Sequence, residues 1–469
     1  MTERRCVAVV GAGITGLTAA FTLATRRPDL DVVVLESSDR VGGKILTTPF
    51  AGRPVDCGPD AFLARVPEGL ELCRELGLDT ILTSPQQKSA YVWVNGSLHR
   101  LPSGLVLGVP TDLDALATSG IVSDAGMKRA AQDLNRTEWI DTANGPDPDG
   151  VDDQSVGALI RARLGDEVHE KLVSPLLSGV NAGDADMLSL AAGAAQIAVA
   201  ARQSPSLITA LRNQSASVRT DPNAPVFHGI PVGTQTLTDL LHSRLTAAGI
   251  PVHRSCPVTA ITRHKRGWQL ETPLGPIVAA DVILSTPARP TAQLLSSISP
   301  ELSEDLGTLD YASAAMVTLA IPRSALAVTL DASGFLVAQT DPLPTLTACS
   351  WASSKWAHLD DPEVAILRVS AGKFGDTHAL DLDDAALVEA LSADLATTMG
   401  LSAPPLAARV TRWIDGLPQF RPGHPARVAR WRATIAHDAP GLQFIGAACD
   451  GLGLPVCIRQ GRHAAAAIS

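Results

Sequence analysis

An apolar run, Val7-Ala8-Val9-Val10, leads into Gly11-Ala12-Gly13-Ile14-Thr15-Gly16, then a helical stretch, then Val32-Val33-Val34-Leu35-Glu36. No other part of the chain restricts its fold so tightly. Strand, glycine turn, helix and second strand make a βαβ unit in which each glycine has its own task. Gly11 allows a sharp turn off the strand, Gly13 allows backbone to approach a pyrophosphate, and Gly16 allows helix and strand to pack closely. Free N–H groups and the helix dipole favour an anion at that same point. Glu36 follows Gly16 by twenty positions, where a carboxylate meets a ribose hydroxyl. A glycine turn alone also serves as a plain structural corner; strand, helix and distal acid together read as a dinucleotide site.

The 469 residues give room for two or three domains and a large core. A formal net charge of −10 argues against a nucleic-acid partner, which needs a basic field. Seven cysteines are scattered without a paired spacing, so neither a zinc site nor any other metal centre is expected, and a reduced, cytoplasmic protein fits. The first apolar run is too short for a secretory signal. No uninterrupted apolar span reaches the roughly 18 residues of a membrane-crossing helix. The nearest approach, Leu190 to Ala201, reads as a buried helix, and peripheral membrane contact stays open because it needs only an exposed apolar face. Seven of the 38 basic residues are lysine, a bias of GC-rich genomes that points to a bacterial, actinobacterial-like source.

Further along, Pro54 to Phe62 reads as a short strand entering a glycine-proline turn, and Glu68 to Leu76 as a helix stopped by Gly77. Ala90 to Leu101 reads as a hairpin around Asn95-Gly96. Residues 102–204 are mainly helical, interrupted by the acidic Pro/Gly stretch Asn144 to Asp153, a loop or disordered segment. A helix over Leu237 to Ala248, strands at Val252 to Arg254, Trp268 to Leu270 and Val278 to Leu284, and later strands at Ala315 to Ile321 and Val364 to Val369 follow. A helix near Asp383 to Thr398 comes next, and the chain closes with a strand at Leu442 to Gly446 and a helix from Val456.

Directly behind the ribose acid stand Ser37-Ser38-Asp39-Arg40-Val41-Gly42-Gly43-Lys44. A second glycine pair there lets backbone lie against a cofactor, with Lys44 available to its anionic part; alone, Arg40 and Lys44 would read as a solvated surface pair. The segment resembles the extended fingerprint of FAD-dependent oxidases and desaturases. Three further stretches, Gly58-Pro59-Asp60-Ala61-Phe62, Ser174 to Asp184 with Leu188-Ser189-Leu190, and Gly451-Leu452-Gly453-Leu454-Pro455-Val456-Cys457-Ile458, narrow the likeness. With them the whole chain resembles the protoporphyrinogen and coproporphyrinogen III oxidase branch of the FAD-dependent amine oxidase superfamily. The middle motif separates this branch from amine oxidases and carotenoid desaturases, although locally it also describes a helix cap and a tight turn.

The resemblance implies an α/β architecture, α+β overall: a Rossmann-like FAD-binding domain, a mixed-sheet substrate domain and a helical subdomain. The FAD-binding domain would comprise 1–97, 226–290 and 436–469. The helical subdomain would span 98–205, a linker or part of the substrate domain 206–225, and the substrate-binding domain 291–435. FAD contacts are implied for Gly11, Ala12, Gly13, Ile14, Thr15, Gly16, Glu36, Ser37, Gly43, Lys44, Gly58, Pro59, Asp60, Ala61, Val258, Trp413, Leu452, Gly453 and Leu454. Without the resemblance, Val258 and Trp413 would read as core. The lone Gly233 stands where relatives carry a glycine pair, which puts close backbone contact there in question.

The implied reaction is the six-electron oxidation of coproporphyrinogen III to coproporphyrin III in heme biosynthesis, with three O2 reduced to three H2O2. Protoporphyrinogen IX is the alternative substrate, and an FAD amine oxidase or a non-catalytic tetrapyrrole-binding flavoprotein are the rival classes. Composition and the lack of an anchor favour coproporphyrinogen, which carries four propionates. No residue stands out as an obligatory base. An anionic macrocycle calls for an apolar slot with cations at its mouth, for which Arg65 is the candidate, otherwise an ordinary surface arginine. Oligomeric state is not legible in the sequence.

Overall fold

The computed structural model describes residues 4–138, 153–217 and 224–468. They fall into two compact units: one built from 1–84, 225–310 and 425–469, the other from 85–224 and 311–424. The acidic stretch from Asn144 lies outside the described residues up to its last member, Asp153.

The first unit is built on a five-stranded parallel sheet. Its spatial order is Val252–His253, Asp31–Leu35, Cys6–Val10, Asp281–Leu284 and Leu442–Phe444. Val7, Val9, Val34 and Ile283 are fully buried, as expected of parallel strands covered on both faces, which read as continuous apolar runs rather than alternating ones. The first helix, Ile14–Arg26, packs on this sheet beside the last helix, Leu454–Ala466. Their approach is set by Gly461: a Cβ there would stand 2.4 Å from the Thr15 carbonyl oxygen and 3.0 Å from the Ala19 nitrogen. The two ends of the chain thus meet in one layer.

One expected strand, Val278 to Leu284, is two. Ile277–Ala279 closes an antiparallel three-stranded sheet with Ala260–His264 and Gly267–Glu271, while Asp281–Leu284 enters the parallel sheet. The change of partner occurs at Ala280, whose N–H donates to the Cys6 carbonyl at 2.8 Å.

The second unit holds a seven-stranded mixed sheet. Its order is Ala407–Pro418, Tyr311–Pro322, Val364–Ala371, Leu346–Trp351, Gly334–Val337, Tyr91–Val94 and Ser97–Arg100. Only the pairing of Gly334–Val337 with Tyr91–Val94 is parallel. Helix Asp384–Met399 covers it with Leu387, Leu391, Leu395 and Met399, a four-residue spacing that keeps one face buried. The apolar stretch expected as one helix over Leu190 to Ala201 is broken into Leu190–Gly193 and Ala195–Gln203. Ala194 leaves helical geometry there (φ −143°, ψ 50°). Among the described residues no helix is long and apolar enough to cross a membrane.

Candidate dinucleotide site

The glycine turn after Cys6–Val10 is held by sterics on one side and left open on the other. Gly11 adopts φ +101°, a region that side chains avoid, and a Cβ on Gly16 would stand 2.0 Å from the Gly11 carbonyl oxygen. Gly13 is different: no heavy atom lies within 4 Å of where its Cβ would be. Backbone is therefore bare at the glycine expected to approach a pyrophosphate.

Glu36, at the end of Asp31–Leu35, is 9% exposed and turns its carboxylate back to that turn. Its Oε2 accepts from the Ala12 N–H at 2.7 Å, and its Oε1 accepts from the Ser38 N–H at 2.8 Å and the Ser38 hydroxyl at 2.9 Å. Ser37 and Ser38 are exposed beside it.

The second glycine pair joins the first. The Gly42 N–H donates to the Ala12 carbonyl at 2.8 Å, Gly13 and Gly42 form a parallel bridge, and the Cβ position of Gly43 lies 3.4 Å from the Gly13 Cα. Lys44 follows, exposed to solvent, with its pKa lowered by desolvation from surrounding atoms; Cys457 is the group that opposes the shift.

Val258 comes to the other side of Glu36. The Ser255 N–H donates to the Ser38 carbonyl at 2.7 Å and the Cys256 N–H to the Glu36 carbonyl at 2.8 Å, which carries the Cys256-Pro257-Val258 segment past the acid. Val258 itself is half-buried.

The Gly58-Pro59-Asp60-Ala61 turn is positioned by a buried acid that sequence reading did not single out. Asp56 Oδ1 accepts from the Thr47 hydroxyl at 2.5 Å and the Thr234 N–H at 3.0 Å, while the Thr234 hydroxyl lies 2.9 Å from the Pro59 carbonyl oxygen. Gln235 reaches the same hairpin, its Oε1 accepting from the Thr47 N–H at 2.9 Å. Gly233 turns at φ +98° directly over Thr47, where a Cβ would stand 2.2 Å from the Thr47 Cγ2. The only available signal was an acid two residues before a Gly-Pro turn; of its partners, Thr234 is 178 residues away.

Past Ala61, Phe62 is buried and pairs opposite His228, with Arg65 exposed two residues beyond the short strand Phe62–Leu63. At the far end of the chain, Gly451 at φ +136° and Gly453 lead into the last helix. That helix begins at Leu454 rather than Val456, because Pro455 sits in its first turn, where no N–H bond is needed. Trp413 belongs to the second unit, half-buried on Ala407–Pro418 beside a register shift of that strand against Tyr311–Pro322.

Helix Ile14–Arg26 and helix Leu454–Ala466 share a further property. Neither has a side-chain cap or an acidic residue in its first turn. The helices beginning at Ser174, Ala195, Gln235 and Ala288 start in the same way, whereas those beginning at Leu113, Asp124, Val156 and Asp384 are capped by Asp112, Ser123, Ser155 and Asp383. Uncapped N–H groups and an unopposed dipole suit an anionic or electron-rich ligand.

A parallel sheet with a bare glycine turn, an acid at the end of the neighbouring strand and two open helix starts defines a dinucleotide-binding protein. The chain belongs to the flavin containing amine oxidoreductase family, whose model matches residues 14–469. A flavin that fills a dinucleotide cradle is FAD. The chain is 33% identical to the coproporphyrinogen III oxidase of Bacillus subtilis (strain 168), over 98% of this chain and 97% of the relative. It is 34% identical to the coproporphyrinogen III oxidase of Mycobacterium bovis, over 97% and 95%. A crystal structure of a protein from Exiguobacterium sp. 255-15, assigned as a protoporphyrinogen oxidase, superposes with a TM-score of 0.88 at 31% identity, covering 100% of this chain and 99% of the other.

Proposed function

We propose that this chain is an oxygen-dependent FAD oxidase that converts coproporphyrinogen III to coproporphyrin III. The observation that carries the reading is the near full-length likeness to coproporphyrinogen III oxidases, supported by a first unit whose open surfaces fit FAD. Bound FAD supplies the redox chemistry, taking electrons two at a time and passing them to O2.

The chain's own residues hold and shape that site. Gly11 to Gly16 and the start of Ile14–Arg26 take the pyrophosphate, since backbone at Gly13 is bare and the helix N–H groups are uncapped. Glu36 takes a ribose hydroxyl with the acceptor capacity left after its bonds to Ala12 and Ser38, and Ser37 lies beside it. Val258 faces the adenine. Gly43 and Lys44, Gly58 to Ala61, and Leu452 to Leu454 would frame the rest of the cofactor, where the uncapped helix start at Leu454 would favour the negative charge that a flavin gains on reduction. Arg65 receives a substrate carboxylate, for which a planar guanidinium is suited.

Anaerobic mixing tests the reading. Purified protein loaded with FAD should lose its flavin colour on adding coproporphyrinogen III and regain it with O2, faster than with protoporphyrinogen IX. Faster oxidation of protoporphyrinogen IX would reassign the substrate. Bleaching by an amine alone, or porphyrin binding without bleaching, would replace the reading altogether.

A further inference from the structure

Arg432, on helix His424–Asp438, places Nη2 2.6 Å from Asp450 Oδ2. Their side chains are 50% and 36% exposed, and an ion pair in that setting contributes little to folding. Its position is more informative than its strength. Asp450 stands immediately before Gly451, in the turn that delivers Leu452, Gly453 and Leu454 to the open start of the last helix. An unpaired carboxylate there would oppose the positive end of the helix dipole.

Neutral bonds also hold the turn. The Gly446 N–H donates to buried Gln460 Oε1 at 3.0 Å, and the Cys449 N–H to the Gly446 carbonyl at 3.0 Å. The Cys449 thiol beneath the pair is held protonated because burial pushes its pKa up, and the buried Cys457 thiol is raised by the same cause. Lys44 is the other charged group coupled to Cys457. Arg432 and Asp450 thus bring one formal charge of each sign to the turn.

We propose that Arg432 and Asp450 are a positioning pair that sets the charge which this turn presents to the flavin. The inference rests on the FAD reading. Arg432 cancels the field of Asp450, so the helix start keeps its full attraction for the negative charge of a reduced flavin; removing either partner uncovers the charge of the other.

Sulfite reads this field without substrate. Its sulfur lone pair forms a bond to flavin N5, and the added negative charge moves to the N1 and C2 carbonyl edge, so the adduct is tightened by nearby positive charge and weakened by negative charge. FAD-loaded parent, D450N, R432Q, R432K and the D450N/R432Q double variant would be titrated with sulfite, with retained FAD measured in each. D450N should bind sulfite about threefold or more tightly and R432Q about threefold or more weakly, whereas R432K and the double variant should stay within about twofold of the parent. Where sulfite does not saturate, the flavin midpoint potential against a reference dye reads the same sign, higher in D450N and lower in R432Q.

A pair that merely braced the turn would shift both single variants in one direction. That result, or no shift in either, overturns the proposal. A parent that binds no FAD overturns the cofactor reading and the proposal with it.

Discussion

Glutamine in place of Glu36 keeps the size of the side chain and still cannot satisfy its surroundings. One carboxylate oxygen serves Ala12 and the other serves Ser38, at 2.7 Å and 2.8 Å from their N–H groups. A glutamine has one acceptor and one NH2. Whichever way the amide is turned, its nitrogen meets a backbone N–H. With Glu36 only 9% exposed, water has little access to replace the lost acceptor. Losing a bond to a charged acceptor and leaving the donor unmet costs about 2–4 kcal/mol. Glu36→Gln should therefore lower the stability of the cofactor-free protein by about that amount in urea unfolding. FAD affinity, read by quenching of flavin fluorescence, should fall roughly 10–100-fold as the ribose bond weakens. A cofactor-free variant within about 0.5 kcal/mol of the parent would refute the account of Glu36 as an acceptor on both sides.

Other expectations follow from single sites. Arg65→Ala should raise KM for the porphyrinogen more than it lowers flavin content; unchanged steady-state kinetics would remove Arg65 from the substrate site. Gly461→Ala should cost about 1–3 kcal/mol in thermal unfolding, because its Cβ would press on the Thr15 carbonyl across the helix pair; a neutral substitution would show that the helices part freely. Burial works against the charged form of Glu167, but the Ser123 hydroxyl and N–H and then Lys171 outweigh it and hold its pKa near about 2. A carboxyl depressed in the folded state stabilises above its unfolded pKa and loses that contribution as pH falls toward the folded value. Glu167→Gln should thus remove about 1–2 kcal/mol of stability at neutral pH, after allowance for solvent screening, with the difference from the parent shrinking between about pH 5 and 2; a gap that persists at low pH would contradict this.

Sequence reading worked where a few adjacent residues settle the conformation. Asn95 and Gly96 turn the hairpin with φ of 54° and 71°, the pair of positive angles that such a dipeptide favours. Gly77 ends Pro67–Leu76 in the left-handed region at φ 76°, and Glu36 reaches the glycine turn from the next strand. Reading failed where a distant partner decides. The run Val278 to Leu284 has uniform strand character, yet it feeds two sheets because Trp268 and Val7 compete for its two halves. Asp56 is the same case at the site, since nothing near it in sequence announces Thr234.

The FAD cradle is assembled from segments that many flavoproteins could share, so its visibility says little about substrate. The motif that set this chain apart from amine oxidases, Ser174 to Leu190, lies in the second unit. Helix Ser174–Asn181 ends at Ala182 with φ 47°, a left-handed conformation that costs an alanine roughly 1–2 kcal/mol. Three bonds hold it: the Ala182 N–H donates to the Ser178 carbonyl at 2.8 Å, the Phe374 N–H to the Ala182 carbonyl at 2.7 Å, and Gln419 Nε2 to the Asn181 carbonyl at 3.0 Å. Gln419 also closes on Gly183, where a Cβ would stand 2.4 Å from its Oε1. Such strain persists only where neighbouring segments over-determine it, and here Phe374 and Gln419 come from parts of the chain far from the motif. The motif is therefore more than a helix end: it fixes a backbone shape that its own residues would not choose. Gly11 to Glu36 marks a dinucleotide site, whereas the Ser174 to Leu190 motif is backbone that distant segments of its own unit hold in place.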